Sequence, residues 1–173
     1  MTKKTHLYEN DEDRDNQQRV IEYVMYKWNF TAHDMPLAYE FDFACMRDKK
    51  VDAMVEVRCR NIDVNQFDTM IMSNKKYMWA IQNGDESLSI KNGKLSHIPF
   101  LFVVWWKKSK TLGYIDLNKR KEELVDKFYN PRGLVHRPEL GLQLKDYRND
   151  YRDRETLRHF KIKDFCIISN NFG

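Results

Sequence analysis

The chain predicts an α/β domain with a mixed sheet flanked by helices. Three observations carry this. Val20, Ile21, Val24, Met25 and Trp28 recur at helical spacing within residues 13–29. Residues 39–60 alternate between apolar and charged side chains, the period-two pattern of two strands. Residues 98–106 form an apolar run about half as long as a bilayer span, which reads as a buried central strand.

The elements follow in order. Residues 1–11 are polar and stand outside the core. Asp11, Asp13 and Asp15 suit the positive end of the first helix. His33 and Pro36 fall in a connection. Residues 39–46 and 51–60 make a hairpin, and 61–66 a loop. Residues 67–72 read as a third strand of the sheet. Ser73 then caps a helix to about residue 83, ended by Gly84. Lys91-Asn92-Gly93-Lys94 reads as a hairpin turn. In the fourth strand, 98–106, Trp105 and Trp106 point to opposite faces, which leaves one of them free to be exposed. Residues 111–117 pair back on it. Residues 118–129 read as a short helix with a Lys119-Arg120-Lys121 cluster. Residues 130–156 are a long polar stretch rich in Arg and Tyr, and 157–169 return as one or two strands.

Composition fits one domain over residues 1–173, with a core at about 13–117 and an extension at 118–173. The chain is 42% hydrophobic and 13% aromatic, which argues against disorder. Its net charge of +4 is compatible with nucleic acid without being diagnostic. The three cysteines, Cys45, Cys59 and Cys166, have neither zinc spacing nor a disulfide framework. Cys45 and Cys59 fall on apolar faces and read as small core residues. With no signal peptide and no membrane span, a cytoplasmic protein is expected.

The hairpin carries the chemistry. On its first strand Tyr39, Phe41, Phe43 and Cys45 share one face, and Glu40, Asp42, Ala44 and Met46 the other. On its second, Val51, Ala53, Val55, Val57 and Cys59 oppose Asp52, Met54, Glu56, Arg58 and Arg60. If both apolar faces enter one core, paired residues must share parity. A three-residue connection, Asp48-Lys49-Lys50, meets this condition and pairs Arg47 with Val51. Asp42 then lies opposite Glu56, and Glu40 opposite Arg58. A two-residue turn would break the parity. Opposed β-carbons are roughly 4.5–5.5 Å apart, where like charges are destabilising. The two carboxylates therefore need a proton, a cation or solvent between them. A hard cation such as Mg²⁺ suits them, because it often uses one or two carboxylates plus water and phosphate. The same residues also fit a Glu40–Arg58 ion pair with Asp42 and Glu56 solvated and no metal.

Asp42, a gap of thirteen residues and Glu56-Val57-Arg58 resemble the Asp…Glu-x-Lys signature of the PD-(D/E)XK nuclease superfamily. The wider run resembles a phage-type branch of it. In that branch a Tyr-x-x-Asp strand precedes a Glu-x-Lys-Cys-Arg-Asn-like strand, then a Tyr-x-x-Met-x-Ser-like strand and a helix. Phe67-Asp68-Thr69-Met70-Ile71-Met72-Ser73 matches the third of these, and the run from Pro99 to Trp106 matches a later apolar strand ending in Trp. The resemblance covers roughly residues 13–117, and the tail more loosely.

The resemblance implies a restriction-endonuclease-like fold. It also implies a phage-encoded nuclease that hydrolyses DNA with Mg²⁺ or Mn²⁺ in the host cytoplasm; RNA stays open as a substrate. Asp42 and Glu56 become metal ligands, helped by the Val57 carbonyl. Arg58 stands where the motif has the lysine that orients or activates water. Arginine stays protonated and is no general base, though it can hold a phosphate or stabilise developing charge. Lys75 and Lys76 become candidate nucleic-acid contacts near Arg58; their other reading is a solvated pair. Such enzymes often carry a further acid on the first helix, where this chain has Gln17, with Glu12 and Glu22 nearby. The family core runs helix, three strands, helix, strand. The strand at 67–72 is one too many in that count, unless the strand before Asp42 is vestigial or the sheet edge is rearranged. Two alternatives stand beside the nuclease: a nuclease fold that binds nucleic acid without cutting it, and a structural or interaction protein.

Overall fold

Acidic side chains open the first helix, and a left-handed asparagine closes it. Asp11, Glu12 and Asp13 fill the first turn of α1 (Asp11–Trp28), Lys27 sits in its last turn, and Asn29 follows at φ 54°. The computed structural model describes residues 11–36, 40–86, 88–91, 94–120, 142–145 and 155–173; the side chains of 84–97, 120, 142–145 and 155–157 lie outside that description. After α1 come β1 (Thr31–Asp34), β2 (Phe43–Arg47), β3 (Lys50–Arg60), β4 (Thr69–Ser73), α2 (Asn74–Glu86), β5 (Leu88–Lys91), β6 (Lys94–His97), β7 (Phe100–Trp106) and β8 (Thr111–Asp116). A 3-10 turn at Leu117–Arg120, then β9 (Leu142–Lys145), β10 (Glu155–Lys161) and β11 (Cys166–Ser169) complete the order.

The main sheet runs β1-β2-β3-β7-β8-β11, with β3 and β7 parallel and the other neighbours antiparallel. A parallel pair needs a crossover, and α2 lies within the connection from β3 to β7. Both faces of the sheet are covered. Val20, Ile21 and Val24 of α1 pack with Phe43, Cys45, Val55, Val57, Val103 and Trp105 on one face. Tyr77, Ala80 and Ile81 of α2, with Met70 and Met72 of β4, pack on Ala44, Met54, Phe102, Val104 and Trp106 on the other. Burial on both sides is why β7 reads as an unbroken apolar run.

The expected mixed α/β sheet is present, with the Asp42 and Glu56 segments adjacent and α1 on an apolar face. Several details differ. The hairpin turns in two residues, Asp48 and Lys49, both left-handed at φ 49° and 62°, so Arg47 pairs with Lys50 and Met46 with Val51. A bulge then leaves Asp52 unpaired, and from Cys45↔Ala53 onward the register is the expected one. The extra residue reverses faces, so Val51 packs on the α2 side while Ala53 packs on the α1 side. Residues 40–42 form a bend instead of extending β2. Phe41 consequently joins the α2 side, against Phe100 at 5.2 Å between ring centroids, and not the face of Phe43.

β4 leaves the main sheet for a second one, β4-β10-β9. His33 lies in β1, an edge strand paired with β2, and not in a loop. With β1 counted and β4 set apart, the order helix, three strands, helix, strand is complete. Trp105 and Trp106 face opposite sides as expected, but neither is exposed. The helix after Ser73 continues past Gly84 to Glu86. Residues 121–141 and 146–154, with Lys121 of the Lys119-Arg120-Lys121 cluster, most of the expected helix at 118–129 and most of the basic loop, lie outside the described residues.

Candidate metal and nucleic-acid site

Extending the register Phe43↔Val55 by one step sets Asp42 opposite Glu56. Asp42 is tied down from both sides. Its backbone oxygen accepts from Met35 N–H at 2.9 Å, just past β1, and its Oδ2 accepts from Val57 N–H at 2.9 Å on β3. A side chain thus takes the place of a ladder partner where β2 has not yet begun. A strand residue's N–H and C=O point to the same edge, so the Val57 carbonyl shares the side of the strand on which Asp42 sits.

Glu56 lies on the α2 face of β3 and is only 1% exposed. Two cations meet it. Lys76 Nζ, from the first turn of α2, donates to Oε1 at 2.8 Å and to Oε2 at 2.7 Å. Arg58, two residues along the same strand face, donates to Oε1 at 3.1 Å. Burial pushes the Glu56 carboxyl up from 4.5 to about 7, and the Asp42 charge adds to the rise; Lys76 and Arg58 pull it back without cancelling it. Functional sites and structural ion-pair networks both bury charge at such cost.

The expected ion pair between Glu40 and Arg58 gives way to another arrangement. Glu40 pairs with Lys75 at 2.6 Å, across from an exposed lysine side chain. The reason is the bend at 40–42: without a strand there, Glu40 is not held opposite Arg58. Lys75 and Lys76 therefore part company. One makes a surface pair, and the other enters the acid cluster. The phase of α2 signals this, because Lys76 lies one turn before the buried Ala80 and beside buried Tyr77, whereas Lys75 lies off that stripe. Of the acids considered on the first helix, Glu12 accepts from Lys107 at 3.1 Å and Glu22 accepts from Gln18 at 2.9 Å. Neither bond is to the Asp42–Glu56 cluster.

Asp42 and Glu56 offer hard oxygen donors, the chemistry that Mg²⁺ or Mn²⁺ takes. No group of three or more His, Cys, Asp or Glu suited to a metal occurs among the described residues. Two opposed carboxylates are what this part of the fold offers; such ions often use only one or two carboxylates, with water and phosphate oxygens besides. Burial pushes the Cys45 and Cys59 thiols up to about 12 and keeps them neutral, so these two offer no thiolate ligand.

A helix, three antiparallel strands, a crossover helix and a parallel fourth strand, with Asp42 just before the second strand set against Glu56 on the third, define a nuclease-like α/β protein. The chain belongs to the family described as "Phage putative PDDEXK endonuclease", whose model matches residues 3–168. Comparisons with curated proteins and with solved structures give no match. Nucleases of this superfamily act on nucleic acid and generally use divalent metals. Among the described residues no helix is long and apolar enough to cross a membrane.

Proposed function

We propose that the protein is a Mg²⁺- or Mn²⁺-dependent nuclease that hydrolyses DNA phosphodiester bonds. One observation carries this most directly: the opposed Asp42 and buried Glu56, with Arg58 and Lys76 converging on the same carboxylate. Asp42 and Glu56 would hold the metal, with the Val57 carbonyl completing the protein's share. When bound, the ion supplies a more acidic water and a polarised phosphoryl oxygen. The Val57 N–H orients Asp42. Arg58 is no general base and binds the scissile phosphate as its charge develops. Lys75 exchanges Glu40 for a backbone phosphate, and Lys76 contributes a second positive charge near Arg58. DNA as the substrate rests on the phage setting of the family, and residues 1–173 are taken as one nuclease-like domain.

Purified protein offered DNA and RNA substrates with Mn²⁺ or EDTA tests the reading. Cleavage should require the metal and disappear in Asp42→Ala and Glu56→Ala. Metal-dependent cutting that persists in both variants would place the activity elsewhere. Arg58 in place of the motif lysine favours a second reading, a nuclease fold that binds nucleic acid without cutting. No cleavage with any metal, alongside binding that weakens as salt rises, is its signature.

A further inference from the structure

We propose that Lys76 is a built-in counter-cation of the metal site: its ammonium holds both oxygens of Glu56, and the metal binds by displacing it. The proposal rests on the metal reading above and adds a specific step to it. Three observations point the same way. Lys76 Nζ bridges Oε1 and Oε2 at 2.8 and 2.7 Å, so the ammonium occupies both oxygens that Glu56 would offer an ion. Arg58 occupies Oε1 as well. The carboxylate itself is almost wholly buried, so it has little open surface at which an ion could be added beside the ammonium. Like charges on one carboxylate repel strongly where water is excluded. With Arg58 and Lys76 already on Glu56, a dication added to the same carboxylate favours the departure of Lys76.

The lysine can leave. It sits in the first turn of α2 on a long flexible stem, and its side chain is partly exposed, unlike that of Glu56. Arg58, fixed to the same strand as Glu56, remains. Once displaced, the ammonium carries its charge to the site's rim, where an incoming phosphate needs a partner. Lys76 then couples the two events: it leaves Glu56 more readily when both the metal and a phosphate are present. The site holds metal weakly without substrate and more tightly with it.

The test uses calorimetric titration of the intact chain with Mn²⁺, without nucleic acid. Lys76→Met keeps the stem and removes the charge; it should bind Mn²⁺ at least tenfold more tightly than the unaltered chain. Equal or weaker affinity in Lys76→Met overturns the proposal. A companion measurement needs no variant and so no refolding. Acetylation of the Lys76 amine, followed by mass spectrometry, should speed up several-fold when Mn²⁺ is added, and an unchanged or slower rate counts against displacement. The metal reading fails separately. If Mn²⁺ binding is the same in Asp42→Ala and Glu56→Gln as in the unaltered chain, or is absent from that chain and from Lys76→Met alike, the ion is not held by this pair, and the exchange falls with it.

Discussion

At the scale of single residues, Glu56 is a carboxylate buried at a cost. Burial and the Asp42 charge raise its carboxyl from 4.5 to about 7. The folded protein therefore binds one proton more than the unfolded chain between those values, and stability falls as pH rises through that window. Below pH 4.5 the effect is absent, and above about 7 the cost is complete, on the order of 3 kcal/mol. Glu56→Gln should remove this slope. The variant should unfold at equal or higher denaturant concentration than the unaltered chain at pH 8, and be inactive. A variant markedly less stable at pH 8 would show instead that the Lys76 and Arg58 contacts outweigh the burial. Arg58 allows a second experiment. If it holds phosphate, Arg58→Lys should keep much of the activity, while Arg58→Ala loses cleavage and affinity together. Unchanged cleavage and DNA affinity in Arg58→Ala would reduce Arg58 to a partner of Glu56. Should Arg58 be what silences the site, Arg58→Lys would gain metal-dependent cutting.

At the scale of elements, the hairpin shows how much of the site is legible in the chain and where legibility stops. Alternation on both strands requires that paired residues share parity, and with a three-residue connection that constraint sets Asp42 against Glu56. It could not reveal how the parity is met, because a three-residue turn and a two-residue turn with one bulge give the same register at the site. Asp48 and Lys49 lack the Asn-Gly signal of a left-handed turn, which hid the second solution. The burial of the Glu56 face is not legible in the strand pattern: Ala44 and Met54 beside the charges give a mixed pattern, and the crossover helix and β4 explain why that face is buried. The Lys75–Glu40 pair was not legible either, since it depends on the bend at 40–42. The strained turn gives a direct check. Replacing Asp48-Lys49 by Asn-Gly fits φ 49° and 62° with residues that adopt them readily, and should stabilise the chain by about 1 kcal/mol. Chemical denaturation measures it, and no gain would mean the surroundings relieve the strain. Because the bulge at Asp52 lies between turn and site, activity should not change.

At the scale of the whole molecule, the two faces of the sheet divide the labour. On the α1 side the core is closed and apolar. Phe172, near the end of the chain, wedges between Trp105 and Tyr23, each 4.9 Å away by ring centroids, and its N–H donates to the Lys110 carbonyl at 2.7 Å. On the α2 side the same packing holds the charged cluster of Glu56, Lys76 and Arg58. A net charge of only +4 means that nucleic-acid affinity must come from where bases are placed, not from their sum. Lys75 is the clearest test, because its side chain is 79% exposed and its Glu40 partner lies beside Asp42 in sequence. An exposed pair of this kind contributes about 0–1 kcal/mol to folding, so Lys75→Ala should leave stability nearly unchanged. If Lys75 gives up Glu40 for one phosphate, the variant should bind all DNA sequences more weakly. The slope of log affinity against log salt should then shallow by about one unit, one counterion fewer being released. Binding measured in EDTA over a range of salt separates this from catalysis, since no cutting intervenes. A slope that stays the same assigns Lys75 to Glu40 alone and places the phosphate contacts on other bases, Arg58 and Lys76 among them.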